Sequence, residues 1–182
     1  MNEGISAQLE KMQWMITTLL KISKFDAGTA VLHKEPVELT AVVEQALAPF
    51  IIQAELRQMT LAVDCRQGQF LGDRLWTVEA VQNIVKNCLE HMDNGGTLRL
   101  TGTQTALYCQ LVIADDGCGI EKEDLPHIFE RFYKGKNAGP DSVGIGLALS
   151  KSVLNRENAT VEVQSTVGVG TTFTIRFYRN II

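Results

Sequence analysis

The sequence predicts an α+β protein, a two-layer α/β sandwich preceded by a coiled-coil-type helix. Two sets of periodicities and one seam predict it. Apolar residues recur at helical spacing in Leu39 to Gln58, Asp73 to Met92 and Gly144 to Asn158. Residues 97–103, 106–114, 160–164 and 171–178 alternate apolar and polar, as half-buried strands do. Ahead of both, Ile5, Leu9, Met12, Ile16, Leu19 and Ser23 are spaced four, three, four, three, four, an a/d stripe that asks for a partner helix. The 182 residues are 45% hydrophobic and 21% charged, enough to bury a sizeable core.

In chain order, the first helix ends at Asp26-Ala27-Gly28, with glycine as the C-terminal stop. Val31 to Pro36 reads as a connecting strand closed by proline. Leu39 to Gln58 is a helix that Pro49 must kink or divide. Thr60 to Cys65 and Gln69 to Leu71 are short strands. Asp73 is placed to cap the next helix, and Asn94-Gly95-Gly96 is a turn. Residues 97–103 and 106–114 form a hairpin around Gln104-Thr105. Glu121 to Phe132 is helical in part, and Lys134 to Val143 is a polar, glycine-rich mobile loop. A helix from Gly144 and two strands around Gly168-Val169-Gly170 close the chain. The expected division is 1–29, the seam helix, and 30–182, the sandwich.

Composition excludes several functions. A net charge of −4 argues against a nucleic-acid partner, which would show a basic face. Cys65, Cys88, Cys109 and Cys118 stand singly, which suits reduced thiols and a cytoplasmic setting. The start is hydrophilic, and no run approaches the ~20 apolar residues of a membrane span.

Chemistry concentrates in four places. The run Leu107 to Ile113 leads into Asp115-Asp116-Gly117-Cys118-Gly119, a carboxylate at a strand tip followed by glycines that let backbone approach a ligand. On the helix from Asp73, Asn83, Asn87, Glu90 and His91 share the side opposite the apolar stripe of Val78, Val81, Ile84, Val85, Cys88 and Met92. Asparagine is a poor helix-interior residue, so two of them one turn apart point to a ligand-facing stripe. Gly144-Ile145-Gly146-Leu147 opens a helix after a loop, where free amides attract phosphate. Ser165, Gly168, Gly170 and Thr171 form a glycine-rich turn with hydroxyls in reach. Each alone also suits an ordinary turn or a solvated face.

In this order the pieces resemble the nucleotide-binding catalytic domain of bacterial sensor histidine kinases, within the wider family of gyrase- and Hsp90-like ATPases. Asn83 to His91 resembles the family's N box, and Asp115 to Ile120 its G1 box. Phe129-Glu-Arg-Phe132-Tyr133 is similar to the F box, and Gly144-Ile-Gly146-Leu147 and Gly168-Val-Gly170-Thr171 stand as G2 and G3. The resemblance implies a mixed sheet covered on one face by three helices, with ATP and Mg²⁺ as cofactors. It implies that Asp115 accepts from the adenine amino group and that Thr171 supports that end. Asn87 would hold Mg²⁺, with Asn83 supporting metal and phosphates. Gly117 and Gly119 would let the loop close, and Gly144, Gly146, Leu147 and the helix amides would cradle phosphates. Tyr133 to Val143 would be a lid based on Phe129 and Phe132, with Arg131, Lys134 and Lys136 as phosphate contacts. Phosphoryl transfer asks mainly for positioning and charge neutralisation, which such a set supplies.

The chain departs from the pattern at three points. Glu90 stands where the N box often has lysine, leaving Lys86, Lys134 and Lys136 as the cations available. Ala148 replaces a third glycine. His33, His91 and His127 all lack the following acidic residue of the family's phospho-acceptor, so the acceptor and its neighbouring base are not identified in this sequence. The seam helix resembles the second helix of the dimerising acceptor hairpin. The chain is therefore expected to begin after the acceptor helix and not to autophosphorylate alone. The implied partners are that hairpin, a second kinase protomer and a response-regulator receiver domain, with a membrane only through segments outside this sequence. The alternatives are a serine kinase of the anti-sigma type and a degenerate ATP-binding or dimerisation module, the latter motivated by Glu90.

Overall fold

The computed structural model describes residues 2–136, 138, 139 and 142–179, with side chains from residue 4 onward. Five strands form one mixed sheet: β2 (Thr60–Asp64), β4 (Thr97–Gln104), β5 (Tyr108–Asp115), β7 (Gly170–Tyr178) and β6 (Ala159–Thr166), in that spatial order. Only β2 and β4 run parallel. A separate antiparallel pair joins β1 (Glu35–Glu38) to β3 (Gln69–Gly72).

Cross-strand register makes the core. Leu100 pairs with Ile113, and Ile113 with Phe173; one step on, Leu111 pairs with Ile175 and Cys109 with Phe177. These side chains are buried, because alternate residues of a strand share a face. Phe70 of β3 stacks on Phe177 with ring centroids 3.9 Å apart, so the small pair is attached through the core. The outer face is polar: Arg176 reaches Gln110 and Glu162 at 2.9 Å each.

One layer of three helices covers the inner face. Proline divides the first, as its missing N–H requires, into α2 (Leu39–Leu47), a 3₁₀ turn (Ala48–Phe50) and α3 (Ile51–Leu56). Leu39–Leu56 has the length and mean hydropathy, 1.2, of a membrane span, but here it is broken and packs α2 against α4 (Arg74–Glu90). Asp73 caps α4, its Oδ1 accepting from the Leu75 and Trp76 amides at 3.1 and 3.2 Å, a contribution of ~1 kcal/mol. Ala80, Val81, Ile84, Val85, Cys88 and Leu89 form its buried stripe. The third helix, α5 (Gly146–Arg156), starts two residues later than the sequence suggests. Ser150 Oγ of α5 donates to the Ala80 carbonyl of α4 at 2.8 Å, fixing the two helices side by side. The connecting strand also starts late: residues 31–34 are irregular, and Pro36 lies within β1, opposite Leu71. Glu121 to Phe132 keeps a single 3₁₀ turn, Leu125–His127.

The seam lies on α1 (Asn2–Asp26), which ends in a Schellman turn: Gly28 has φ +70°, and the Thr29 and Gly28 amides bond to the Lys24 and Phe25 carbonyls. Its last turns dock on the sandwich. Ile22 and Phe25 are buried, Phe25 meets Trp76 edge-on at 4.7 Å, and Lys21 pairs with Glu79 at 2.6 Å. Farther from the sandwich, Ile5, Leu9, Met12 and Ile16 are 54–61% exposed.

Candidate functional site

The same register that builds the core places Asp115. It is the last residue of β5, opposite Leu98 and Thr171, and lies on the inward face with Leu111 and Ile113. Its carboxylate is part-buried, and loss of water pushes its pKa up. Amides restrain that rise: Gly117 N–H donates to Oδ1 at 2.9 Å and Thr171 N–H at 3.2 Å, and the Cys88 thiol of α4 bonds to the same group. Asp116, one residue on, points the other way and accepts the Thr97 amide at 3.0 Å, closing the mouth of β4. Of the adjacent pair, Asp116 has a structural role.

The glycine loop is fastened on two sides at Cys118. Cys118 N–H bonds to the His91 carbonyl at 3.1 Å, and Gly168 N–H to the Cys118 carbonyl at 2.9 Å. Arg57 donates to the Leu89 and Met92 carbonyls, holding the end of α4 in place. Gly119 has φ +75°, and a Cβ there would fall against the Thr166 carbonyl, so glycine is required by both backbone and space. Ile120 N–H donates to Ser165 Oγ at 2.8 Å, and Ser165 shares a 2.8 Å bond with Thr171 Oγ1.

In front of this frame lies one cleft. Its walls are Asn83, Asn87, Glu90 and His91 of α4, Gly119, Ile120 and Glu121 after the loop, and Tyr133, Lys134, Gly144, Gly146 and Leu147 from the lid segment and α5. Asn83 Oδ1 stands 3.5 Å from the position a Gly146 Cβ would take, so the asparagine stripe and the start of α5 face each other. Ile145 provides no side-chain cap for α5. The first-turn amides therefore keep their donors free for an anion.

The lid segment is tied at its neck. Phe132 N–H donates to the Gly144 carbonyl at 2.8 Å, and Gly144 has φ +75°, where a Cβ would meet the Tyr133 carbonyl. Within it, Tyr133 Oη donates to Asp124 Oδ1 at 2.6 Å and the Lys136 amide to Asp124 Oδ2 at 3.1 Å. These bonds, the tyrosine first, hold the Asp124 carboxyl below its ordinary pKa. Asn137, Pro140 and Asp141 of the expected lid lie outside the described residues.

The structure thus brings ten of the expected residues to one place: Asn83, Asn87, Gly119, Tyr133, Lys134, Gly144, Gly146 and Leu147 on the cleft wall, with Asp115 and Thr171 bonded behind it. Gly117 is buried between Asp115 and His91. Two residues are placed differently from expectation. Arg131 and Lys136 do not line the cleft: the Arg131 guanidinium pairs with Asp26 at the end of α1, and the Lys136 ammonium reaches Glu123 at 3.4 Å. Phe132 meets the lid neck through its backbone, at φ +63°, and its ring is 53% exposed. Phe129 does pack, edge-on against Phe173 at 6.4 Å.

Sequence reasoning missed Asp124, Glu121, Ile128 and Trp14 as cleft residues. Only Asp124 carried a local signal, an acid just before Leu-Pro at a 3₁₀ start. Among the described residues no three His, Cys, Asp or Glu side chains cluster to cage a metal. The asparagine pair fits Mg²⁺ all the same, since that ion takes one or two protein oxygens and completes its shell with phosphates and water.

Residues 72–181 match the family model described as histidine kinase-, DNA gyrase B-, and HSP90-like ATPase. The chain is 27% identical over 177 residues, 95% of its length, to the sensor-like histidine kinase SenX3 of Mycolicibacterium smegmatis, and covers 46% of that protein. It is 30% identical over 175 residues, 96% of its length, to the heme sensor protein HssS of Staphylococcus saprophyticus, covering 38% of it. The chain therefore spans less than half the length of these relatives. Among solved structures, the mycobacterial sensor histidine kinase MprB superposes with a TM-score of 0.73 at 26% identity, over 79% of this chain and 97% of the other.

Proposed function

The chain belongs to the histidine kinase-, DNA gyrase B-, and HSP90-like ATPase family, and from that premise we propose that it is the ATP-binding catalytic unit of a sensor histidine kinase. In this reading the unit presents the γ-phosphoryl of Mg·ATP to a histidine on an acceptor hairpin, and the phosphoryl then passes to an aspartate of a response-regulator receiver domain. The observation that carries it is the opposition of two surfaces across one cleft: the Asn83–Asn87 stripe on one side and the uncapped start of α5 on the other, with Asp115 held behind them.

Each group has a task that its surroundings support. Asp115, fixed by two amides, accepts from the adenine amino group and so prefers adenine to guanine. The α5 amides with Gly144 and Gly146 receive phosphate oxygens. Asn87 and Asn83 would hold Mg²⁺ through their amide oxygens, and the ion would supply neutralisation of phosphate charge. The lid segment, pinned at Phe132 and Gly144, covers the phosphates. None of His33, His91 and His127 is followed by an acid, and the acceptor is therefore a histidine other than these. The exposed α1 seam supports pairing with acceptor-hairpin helices, its own or those of a second protomer. The unit works on the cytoplasmic side of a membrane-anchored sensor.

Calorimetric titration with a non-hydrolysable ATP analogue, with and without Mg²⁺, tests the nucleotide site; binding that tightens with Mg²⁺ is expected. Adding ATP and a supplied acceptor hairpin tests the transfer. Label on histidine is expected. Label on serine would instead indicate the anti-sigma type of kinase, and binding without transfer a degenerate module.

A further inference from the structure

The polyphosphate needs cations, and the cleft offers few. Among the described wall residues only Lys86 and Lys134 are lysines, against the carboxylates of Glu90, Glu121 and Asp124. Arg131 is engaged with Asp26, and Lys136 reaches Glu123 at 3.4 Å. Lys134 rides on the lid segment. Lys86 instead stands on α4, in the stripe between Asn83 and Glu90, on an element fixed by the core.

Two neighbours hold its ammonium. Glu90 Oε1 lies 3.8 Å away, one turn along the same helix, and the Trp14 ring of α1 lies 5.0 Å away by its centroid. A lysine–glutamate pair one turn apart is common on solvated helices and would by itself indicate nothing. The tryptophan is different. It comes from 72 positions earlier in the chain, and its ring is itself part of the cleft wall. An aromatic face attracts an ammonium and limits where its flexible stem can go.

We infer that Lys86 is the phosphate-binding cation of this cleft and that Trp14, reaching in from α1, is the residue that positions it. This rests on the nucleotide reading and adds to it a dependence on the seam helix: where α1 sits, the cation sits. Glu90 opposes the arrangement, since it competes with phosphate for the same ammonium.

The test compares a non-hydrolysable ATP analogue, titrated calorimetrically, with adenosine, titrated by NMR, on the full chain. Lys86→Met should weaken the analogue ~5- to 10-fold, the scale of one charge-assisted contact, and leave adenosine unchanged. Trp14→Leu should weaken the analogue by roughly 2- to 3-fold, as expected for an exposed cation–π contact, only while Lys86 is present. Trp14→Phe should restore most of that loss, and Glu90→Gln should tighten the analogue. Equal losses for adenosine and the analogue, no loss in Lys86→Met, or additive losses in the Trp14→Leu/Lys86→Met double variant would each overturn the inference while leaving the nucleotide site standing. Failure of the unaltered chain to bind either ligand would overturn both.

Discussion

The two ends of the cleft are built in different ways. At the Asp115 end, β5 and β7 set the position by register, and backbone amides of Gly117 and Thr171 hold the carboxylate. At the lid end, a loop is pinned at its neck and then arranged by one tyrosine hydroxyl and one amide on Asp124. Moving Asp115 means breaking a sheet, whereas moving Tyr133 means breaking a side-chain bond. The first end is held in place before any ligand arrives. The second rests on fewer bonds, which suits the proposed role of a lid.

The sharpest way to break the contrast is Asp115→Ala. It removes the proposed adenine acceptor and orphans two amides, and should cost at least ~100-fold in ATP-analogue affinity, about 3 kcal/mol, measured by calorimetry. Undiminished binding would show that the strand tip does not recognise the base.

A buried carboxylate also holds the two helices together at their ends remote from the cleft. Glu157 accepts from the Asp73 amide at 2.8 Å and from Thr77 Oγ1 at 3.0 and 2.8 Å, joining the end of α5 to the start of α4. Burial raises its pKa to about 7, with Thr77 and the Asp73 amide pulling it back, Asp73 repelling and Lys34 attracting. The folded chain therefore keeps a proton that the unfolded chain gives up near its ordinary value. Stability from this group is full below about 4.5, falls as pH rises toward 7 and is flat above. The total is on the order of 3 kcal/mol. Melting curves of Glu157→Gln should lack this slope. A slope unchanged by the substitution would show that Glu157 does not cause it.

Asn87→Ala tests the cleft between the two ends. The Mg²⁺-dependent gain in analogue affinity should shrink by ~10-fold, about 1.4 kcal/mol, while Mg²⁺-free binding stays. Equal loss with and without Mg²⁺ would make Asn87 a nucleotide contact alone. Tyr133→Phe should have the smallest effect, changing affinity less than ~3-fold. Its mark is elsewhere: the Asp124 carboxyl should return upward toward its ordinary pKa by NMR titration, and amides of the lid segment should exchange faster. A lid as protected as before would show that the neck, and not the Asp124 bond, holds it.

Much of this was legible in the sequence, for local reasons. Pro49 had to divide its helix, Asp73 had a capping residue's place, Gly28 a stop's place, and the alternation from Leu107 to Ile113 announced a strand. The asparagine stripe was readable because a helix has one period. The misreadings share a cause as well. Arg131 stands among phosphate-contact residues by position, yet its long side chain reaches Asp26, more than 100 residues earlier. Lys136 likewise stands among those residues by position, yet its ammonium reaches Glu123.

By itself, the sequence determined the elements, their order and the groups with chemistry to offer, since periodicity, caps and turn residues act within a few positions. Only the tertiary structure decided which of two adjacent aspartates faces the core, which of the expected cations line the cleft, and that a tryptophan of the seam helix stands on its wall. Those outcomes depend on cross-strand register and on side chains meeting from distant parts of the chain, and no local pattern records them.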